Sequence, residues 1–209
     1  CKVRVPSVSR PCGLRAISPR QAFSCFFVVK SCLMTRSAKN SYVKHAFAPA
    51  FFPDSRILIL GSIPSPQSVR YGFYYSNPRN HFWPILANLT RMPLPVTPEE
   101  KLSFLQRSGI ALWDVLASCR IRGASDSSIK TPEVNPVDQL LKQTRIHHLF
   151  TTGKTATELY RKYLLPKTGM QTTYLPSTSP ANCANFTFEE LLEIWGRHLN
   201  PLLAPTNHF

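Results

Sequence analysis

The run RILIL, Arg56 to Leu60, closed at once by Gly61, constrains the fold more than any other stretch of the chain. A short, continuous, β-rich apolar run without polar alternation suits a strand buried on both faces, as in a parallel sheet covered by helices. Three further runs fit the same description: IALWDVL from Ile110, HHLFTT from His147 and TTYLP from Thr172. Helical patterns separate them. Asn80 to Leu89 places Phe82, Ile85, Leu86 and Leu89 at helical spacing, and TPEEKLSFLQRSG opens on a Thr cap, Pro and two carboxylates and stops at Gly109. VDQLLKQT and KTATELYRKYLL follow, and TFEELLEIWGRHL closes the series with Thr187 as cap and Glu190 three residues on. Strands alternating with helices at this spacing predict an α/β fold, a three-layer α/β/α sandwich around a central, mostly parallel four-stranded sheet. Ligands of such sheets bind beyond the carboxyl ends of the strands. The loops that matter are therefore GSIPSPQS, DVLASCRIRGASDSS, TGKT and PSTSPAN.

A chain of 209 residues holds one full core, so a single domain is expected over 56–200, with a lead-in over 34–55 and a tail over 201–209. Residues 1–33 do not read as part of it. They carry six basic residues, no acidic one and four of the six cysteines, with no helical or alternating period. They read as disordered or as lying upstream of a natural start at Met34; the alternative is a targeting peptide, since Arg- and Ser-rich, acid-free leaders exist. The apolar run AFSCFFVV is too short to cross a bilayer, and no membrane-spanning segment is expected elsewhere.

The net charge is +14, from 25 Lys and Arg against 11 Asp and Glu; residues 34–209 keep 19 against 11, or +8. That balance fits either a surface tuned for solubility or a nucleic-acid footprint. Only Cys119 and Cys183 lie beyond residue 33, and no Cys-x-x-Cys spacing occurs. Neither a disulfide framework nor a zinc site is expected, and the two cysteines read as small packed residues in a reducing compartment.

TTGKT, after a strand and before a helix, has the look of a phosphate-binding loop, but its first glycine position is His148. With one glycine instead of two, the backbone cradle is missing, and Gly153-Lys154 reads as a strand-to-helix turn. His147 and His148 have no partner pattern and receive no role.

GSIPSPQSVRYGFYYSNPRNHFW, Gly61 to Trp83, is richer. Gly61, Ser62, Ile63 and Pro64 allow a close backbone approach, Tyr74 and Tyr75 supply flat faces, and Asn77-Pro78-Arg79-Asn80 turns the chain into a helix that Phe82 and Trp83 anchor in the core. A base-sized aromatic ligand is held in this way, by stacking and by hydrogen bonds to backbone and amide groups. Of the carboxylates near these loops, Asp126 reads as a helix cap. Asp114, at the end of the second strand, either faces the pocket or makes a structural hydrogen bond.

GSIPSPQSVRYGFYYSNPRNHFWPIL, with LPSTSPAN downstream and ALWDVLASCRIRGASDSSI between them, resembles the hypoxanthine-DNA glycosylase branch of the uracil-DNA glycosylase superfamily. The likeness spans residues 56 to about 198 and rests on two separated motifs that agree in sequence and in place. Relatives of the mismatch-specific uracil type carry Asn two residues after the first-motif Gly, where this chain has Ile63. Many relatives also open the second motif with His, which PSTSPAN lacks. The resemblance implies instead that Asn80, in the NPRN segment, is the catalytic residue, orienting a water without acting as a strong base.

It further implies a monofunctional DNA glycosylase of base excision repair. Such an enzyme hydrolyses the N-glycosidic bond of hypoxanthine in deoxyinosine-containing DNA without metal or other cofactor, and flips the base into the pocket. Tyr75 would stack on the base, and Gly61, Ser62, Ile63, Pro64 and Asp114 would line its pocket. Arg79, Ser177, Thr178, Ser179, Pro180 and Asn182 would contact the DNA. No Lys stands where a Schiff base would form. A two-carboxylate mechanism would have to use Asp114 and Asp126. The alternatives are a uracil or broad deaminated-base glycosylase and a non-catalytic nucleic-acid binder of the same fold. The expected partner is DNA carrying deaminated bases, met by a monomer with no obligate protein partner and no membrane. In a prokaryote its expected setting is the cytoplasm, at the nucleoid.

Overall fold

The computed structural model describes residues 41–122, 128–182 and 184–203. Asp126, Cys183 and the whole of 1–33 lie outside them, so the expectations placed there have no structural counterpart below.

RILIL becomes β2 (Ile57–Gly61), all five of whose residues are buried. It lies at the middle of a parallel sheet, between β3 (Ile110–Asp114) on one side and β6 (His148–Thr152) on the other, with β7 (Thr173–Leu175) next to β6. Burial on both faces explains why these strands read as apolar runs. Most helices that flank the sheet follow the sequence closely, but one forms inside the stretch GSIPSPQS and just beyond it, where a loop was expected. Short α1 (Pro66–Arg70) is capped by Ser65, whose hydroxyl accepts the Ser68 amide at 3.1 Å. α2 (Phe82–Thr90) comes next, α3 (Pro98–Ser108) starts in a capping box between Thr97 and Glu100 and ends on left-handed Gly109, and short α4 (Val137–Leu141) forms within VDQLLKQT. α7 (Phe188–Leu199) repeats the capping box with Thr187 and Glu190.

Aromatic rings knit three of these helices together. Phe82 of α2 packs edge-to-face on Trp195 of α7 at 5.7 Å between centroids, and Trp83 meets Phe104 of α3 at 5.9 Å. Both geometries suit the ring quadrupole. The expected single helix over 154–165 is instead α5 (Lys154–Leu159), a wide π turn over Tyr160–Leu164, and α6 (Leu165–Thr168). The widening precedes Pro166, which has no amide to donate to the turn before it.

A second sheet stands where the sequence reading expected a loop. The first part of DVLASCRIRGASDSS, up to Ile121, does not run loose after β3. The chain turns at Val115 and re-forms as β4 (Leu116–Ile121), which pairs antiparallel with β1 (Ser41–Lys44) and with β5 (Lys130–Val134) in the order β1-β4-β5. β4 was hidden because its buried and exposed residues alternate irregularly. β5 was hidden because KTPEV is polar and carries Pro132, tolerable only on an edge strand. Buried Asn135 fixes the corner between the sheets, its Nδ2 donating to the Asp114 carbonyl at 2.9 Å and the Leu116 carbonyl at 3.0 Å.

No helix among the described residues is long and apolar enough to cross a membrane. Cys119 is buried in β4.

Candidate active site

The carboxyl ends of β2, β3 and β6 and the loop after β7 open on one cavity of about 700 Å3. Gly61, Ser62, Ile63, Pro64, Tyr75, Asn80, Asp114, Ser177, Ser179 and Pro180, all expected from sequence, line it together. Val43, Ile121 and Thr152 add to the wall from β1, β4 and β6.

Gly61 and Asp114 are paired across β2 and β3. A Cβ at position 61 would collide with Asp114 Oδ1 and come within 3.0 Å of the Tyr75 hydroxyl. Absence of a side chain at Gly61 is thus what admits the carboxylate to the floor of the cavity.

Asp114 does not stand alone there. Its Oδ2 lies 2.9 Å from Nε2 of His45, just past β1, and both side chains are only 5% exposed. Burial pushes the Asp114 carboxyl above the ordinary carboxylate range, and His45 opposes that rise through its hydrogen bond and its charge. His45 Nδ1 is 2.8 Å from the Phe47 carbonyl. Sequence reading missed His45 because it sits 69 residues from its partner, just after a strand too short and polar to be read locally. Asp114 therefore both lines the cavity and makes a buried hydrogen bond, combining the two roles the sequence left open.

Tyr75 holds a left-handed backbone conformation, φ 53°, which costs a non-glycine residue about 1–3 kcal/mol and persists where surrounding structure dictates it. The dictating contact is a near-parallel stack on Phe82, 3.8 Å between centroids at 9°. The Tyr75 hydroxyl meets Thr152 Oγ1 at 3.1 Å. With one face against fully buried Phe82, the ring turns its other face to the cavity. Tyr74 is tied down separately: its hydroxyl donates to the Ala48 carbonyl at 3.0 Å, and its own carbonyl accepts from Trp83 Nε1 at 3.0 Å. Lys101 of α3 braces the same loop, donating to Ser76 Oγ at 2.9 Å while its ammonium lies 5.6 Å from the Trp83 ring centre. Burial holds its pKa below the usual lysine range.

Asn80 precedes α2, and its Oδ1 accepts the Phe82 amide at 3.0 Å. That bond fixes the carboxamide at the cavity wall and leaves a second lone pair on Oδ1 and both Nδ2 protons for a ligand or water. The next residue joins the two sequence motifs, as the His81 amide donates to the Thr178 carbonyl at 3.1 Å. Within the second motif, Asn182 Nδ2 donates to the Ser177 carbonyl at 2.7 Å, and Trp195 Nε1 from α7 donates to the Pro176 carbonyl at 3.1 Å.

The remaining expected residues fall differently. Arg79 is exposed outside the cavity lining. Thr178 is 2% exposed, and its hydroxyl has no hydrogen-bond partner. Asn182 lies in a neighbouring cleft of about 430 Å3 with Lys154, Tyr174, Asn185 and Phe186. Among the described residues lining the main cavity, Asp114 is the one carboxylate, so a second carboxyl for the two-carboxylate arrangement is not found there. Gly153, at φ 86°, makes the strand-to-helix turn, and His147 and His148 lie away from the cavity. No group of three or more His, Cys, Asp or Glu among the described residues is placed to hold a metal ion.

The family profile "Uracil DNA glycosylase superfamily" matches residues 49–197, a span that includes every residue of the cavity wall except Val43. A Methanosarcina acetivorans protein named hypoxanthine DNA glycosylase is 34% identical over 142 residues, 67% of this chain and 89% of that one. A Methanosarcina barkeri protein of the same name is 33% identical over 141 residues, 66% of this chain and 88% of that one. Among solved structures, the solution NMR structure of a Methanosarcina acetivorans protein, provisionally named a uracil DNA glycosylase, superposes with a TM-score of 0.67 at 31% identity. That match covers 77% of this chain and 98% of the other.

Proposed function

This chain belongs to the uracil DNA glycosylase superfamily, and we propose that within it the protein is a monofunctional DNA glycosylase that hydrolyses the N-glycosidic bond of hypoxanthine in DNA, leaving an abasic site. The observation that carries this reading is the convergence of an aromatic face, a carboxamide and a carboxylate, from Tyr75, Asn80 and Asp114, on one cavity beyond the strand ends. That combination suits a nucleobase flipped out of a duplex, at a cost of a few kcal/mol that is least for weakly paired bases.

The base would stack on the cavity side of Tyr75, with Gly61, Ser62, Ile63, Pro64 and Asp114 around its edge. Asn80 would hold the attacking water through the free lone pair of Oδ1, oriented toward the sugar carbon. A carboxamide cannot remove the water's proton as a strong base, so rate comes from orientation and from electrostatic stabilisation of an oxocarbenium-like sugar beside the DNA phosphates. Ser177, Ser179 and Pro180 border the cavity mouth and would meet the strand that carries the lesion. Arg79 and Asn182 would contact the backbone to either side. Buried Thr178 contributes through its carbonyl, which ties the two motifs together. We read the protein as a monomer that needs no obligate partner besides DNA.

The test is base release from matched duplexes containing deoxyinosine, deoxyuridine or deoxyxanthosine. Preferred release of hypoxanthine is expected. Preferred release of uracil would assign the cavity to a different base, and binding without release from any of the three would reduce the protein to a DNA binder.

A further inference from the structure

Resting on that reading, we infer that His45 is a positioning residue: it holds the Asp114 carboxylate ionised and turned so that Oδ1 meets the N1–H of a deaminated purine. The hydrogen-bond geometry fixes the arrangement. The Phe47 backbone holds His45 Nδ1, its carbonyl 2.8 Å away and its amide 3.2 Å away, and so fixes the plane of the ring. Nε2 is the atom that shares a proton with Asp114 Oδ2 at 2.9 Å. Both side chains are almost wholly buried, and a carboxylate so placed without a partner would be strongly disfavoured. With Oδ2 engaged, Oδ1 is the atom that packs against Gly61 beside the Tyr75 hydroxyl, at the cavity floor.

A base stacked on Tyr75 presents its edge to Oδ1. An ionised carboxylate only accepts hydrogen bonds. Hypoxanthine offers a donor at N1, created when deamination turned the amidine of adenine into a lactam. Adenine offers a lone pair at the same atom and would leave both acceptors facing each other, unpaired and buried. Sites built to meet a donor reject the analogue that lacks it, which makes this one carboxylate a means of sparing adenine, the base from which hypoxanthine arises. The titratable groups acting on the carboxyl are His45 and the phenols of Tyr74 and Tyr75 from the loop before α2. Burial, then Asp114 and Tyr75, raise the Tyr74 phenol.

The experiment is single-turnover hypoxanthine release from a deoxyinosine duplex across pH, for the wild type, His45→Gln and Asp114→Asn, with thermal melting of each. The wild-type rate should rise with pH as Asp114 ionises. Gln keeps a hydrogen bond to Oδ2 but brings no charge, so in His45→Gln the carboxyl ionises later and the rising limb moves to higher pH, with its plateau largely kept. In Asp114→Asn the limb should vanish and release should fall by about 10- to 100-fold, the scale of one hydrogen bond to a charged group. A His45→Gln limb coincident with wild type, or a uniform drop without a shift, would overturn the inference and leave His45 a structural residue. Should His45→Gln fail to fold, Asp114→Asn decides: a limb that survives in it overturns the inference. A wild type that releases no hypoxanthine removes the glycosylase reading as well, whereas an active wild type with an unmoved limb removes this inference alone.

Discussion

The two sheets share one cavity but are built from opposite materials. β2 and β3 are buried at every position, whereas β1 and β5 are mostly exposed or half-buried. The parallel sheet is held by apolar burial and offers the cavity a rigid row of strand ends: Gly61, Asp114 and Thr152. The antiparallel sheet adds little core of its own outside β4, yet β1 leads directly into His45, the residue that partners the buried carboxylate. In this molecule the frame of the site comes from hydrophobicity, and an essential part of its electrostatics comes from long-range pairing of a polar strand.

Substitutions in the two sheets should differ in size accordingly. The largest expected effect is Phe82→Ala, in the frame. It removes a fully buried ring that stacks on Tyr75 and packs on Trp195, and should cost about 3–5 kcal/mol in denaturant unfolding and abolish base release. Gly61→Ala comes next, driving a methyl group into the Asp114 carboxylate. A destabilisation of about 1–3 kcal/mol by overpacking should accompany a disproportionate loss of hypoxanthine release. Asn135→Ala, at the corner joining the sheets, leaves the buried Asp114 and Leu116 carbonyls without their donor. It should cost about 1–3 kcal/mol and weaken base release through the displaced Asp114. At the small end, Tyr42→Ala on the exposed face of β1 should stay within about 0.5 kcal/mol. A Tyr42 effect as large as that of Asn135 would show that β1 carries core stability and would erase the contrast.

Stability should follow pH with a definable sign. The folded Asp114 carboxyl is raised above its unfolded value, so the folded state holds that proton more tightly. Its favourable contribution is present at acid pH and declines as pH rises from the ordinary carboxylate range through the folded pKa. Denaturation midpoints of the wild type should show this decline beside that of Asp114→Asn, which should lack it.

Much of the frame was legible because buried parallel strands write themselves as apolar runs, and helices as capped periodic segments. RILIL, IALWDVL, HHLFTT and TTYLP all mark strands of the parallel sheet, and the Thr187–Glu190 box marks the start of α7. The strand-end lining was legible for the same reason: once the strands are placed, Gly61, Asp114 and Ser177 must converge. β1, β4 and β5 were not legible, since edge strands with mixed burial and a proline carry no clean period. His45 was out of reach in principle, because its role exists only through a contact across 69 residues. Exposed Arg79 and buried Thr178 show the converse: a motif names the residues of a loop without saying which way each one points.

The most direct test of the account is the rate of hypoxanthine release by Asn80→Ala on a deoxyinosine duplex under single-turnover conditions, measured beside its affinity for the same duplex. Release should slow by about two or more orders of magnitude, the loss expected when a single positioned group is removed, with affinity nearly unchanged. Release at the wild-type rate would contradict the account and move the water-holding role elsewhere in the cavity.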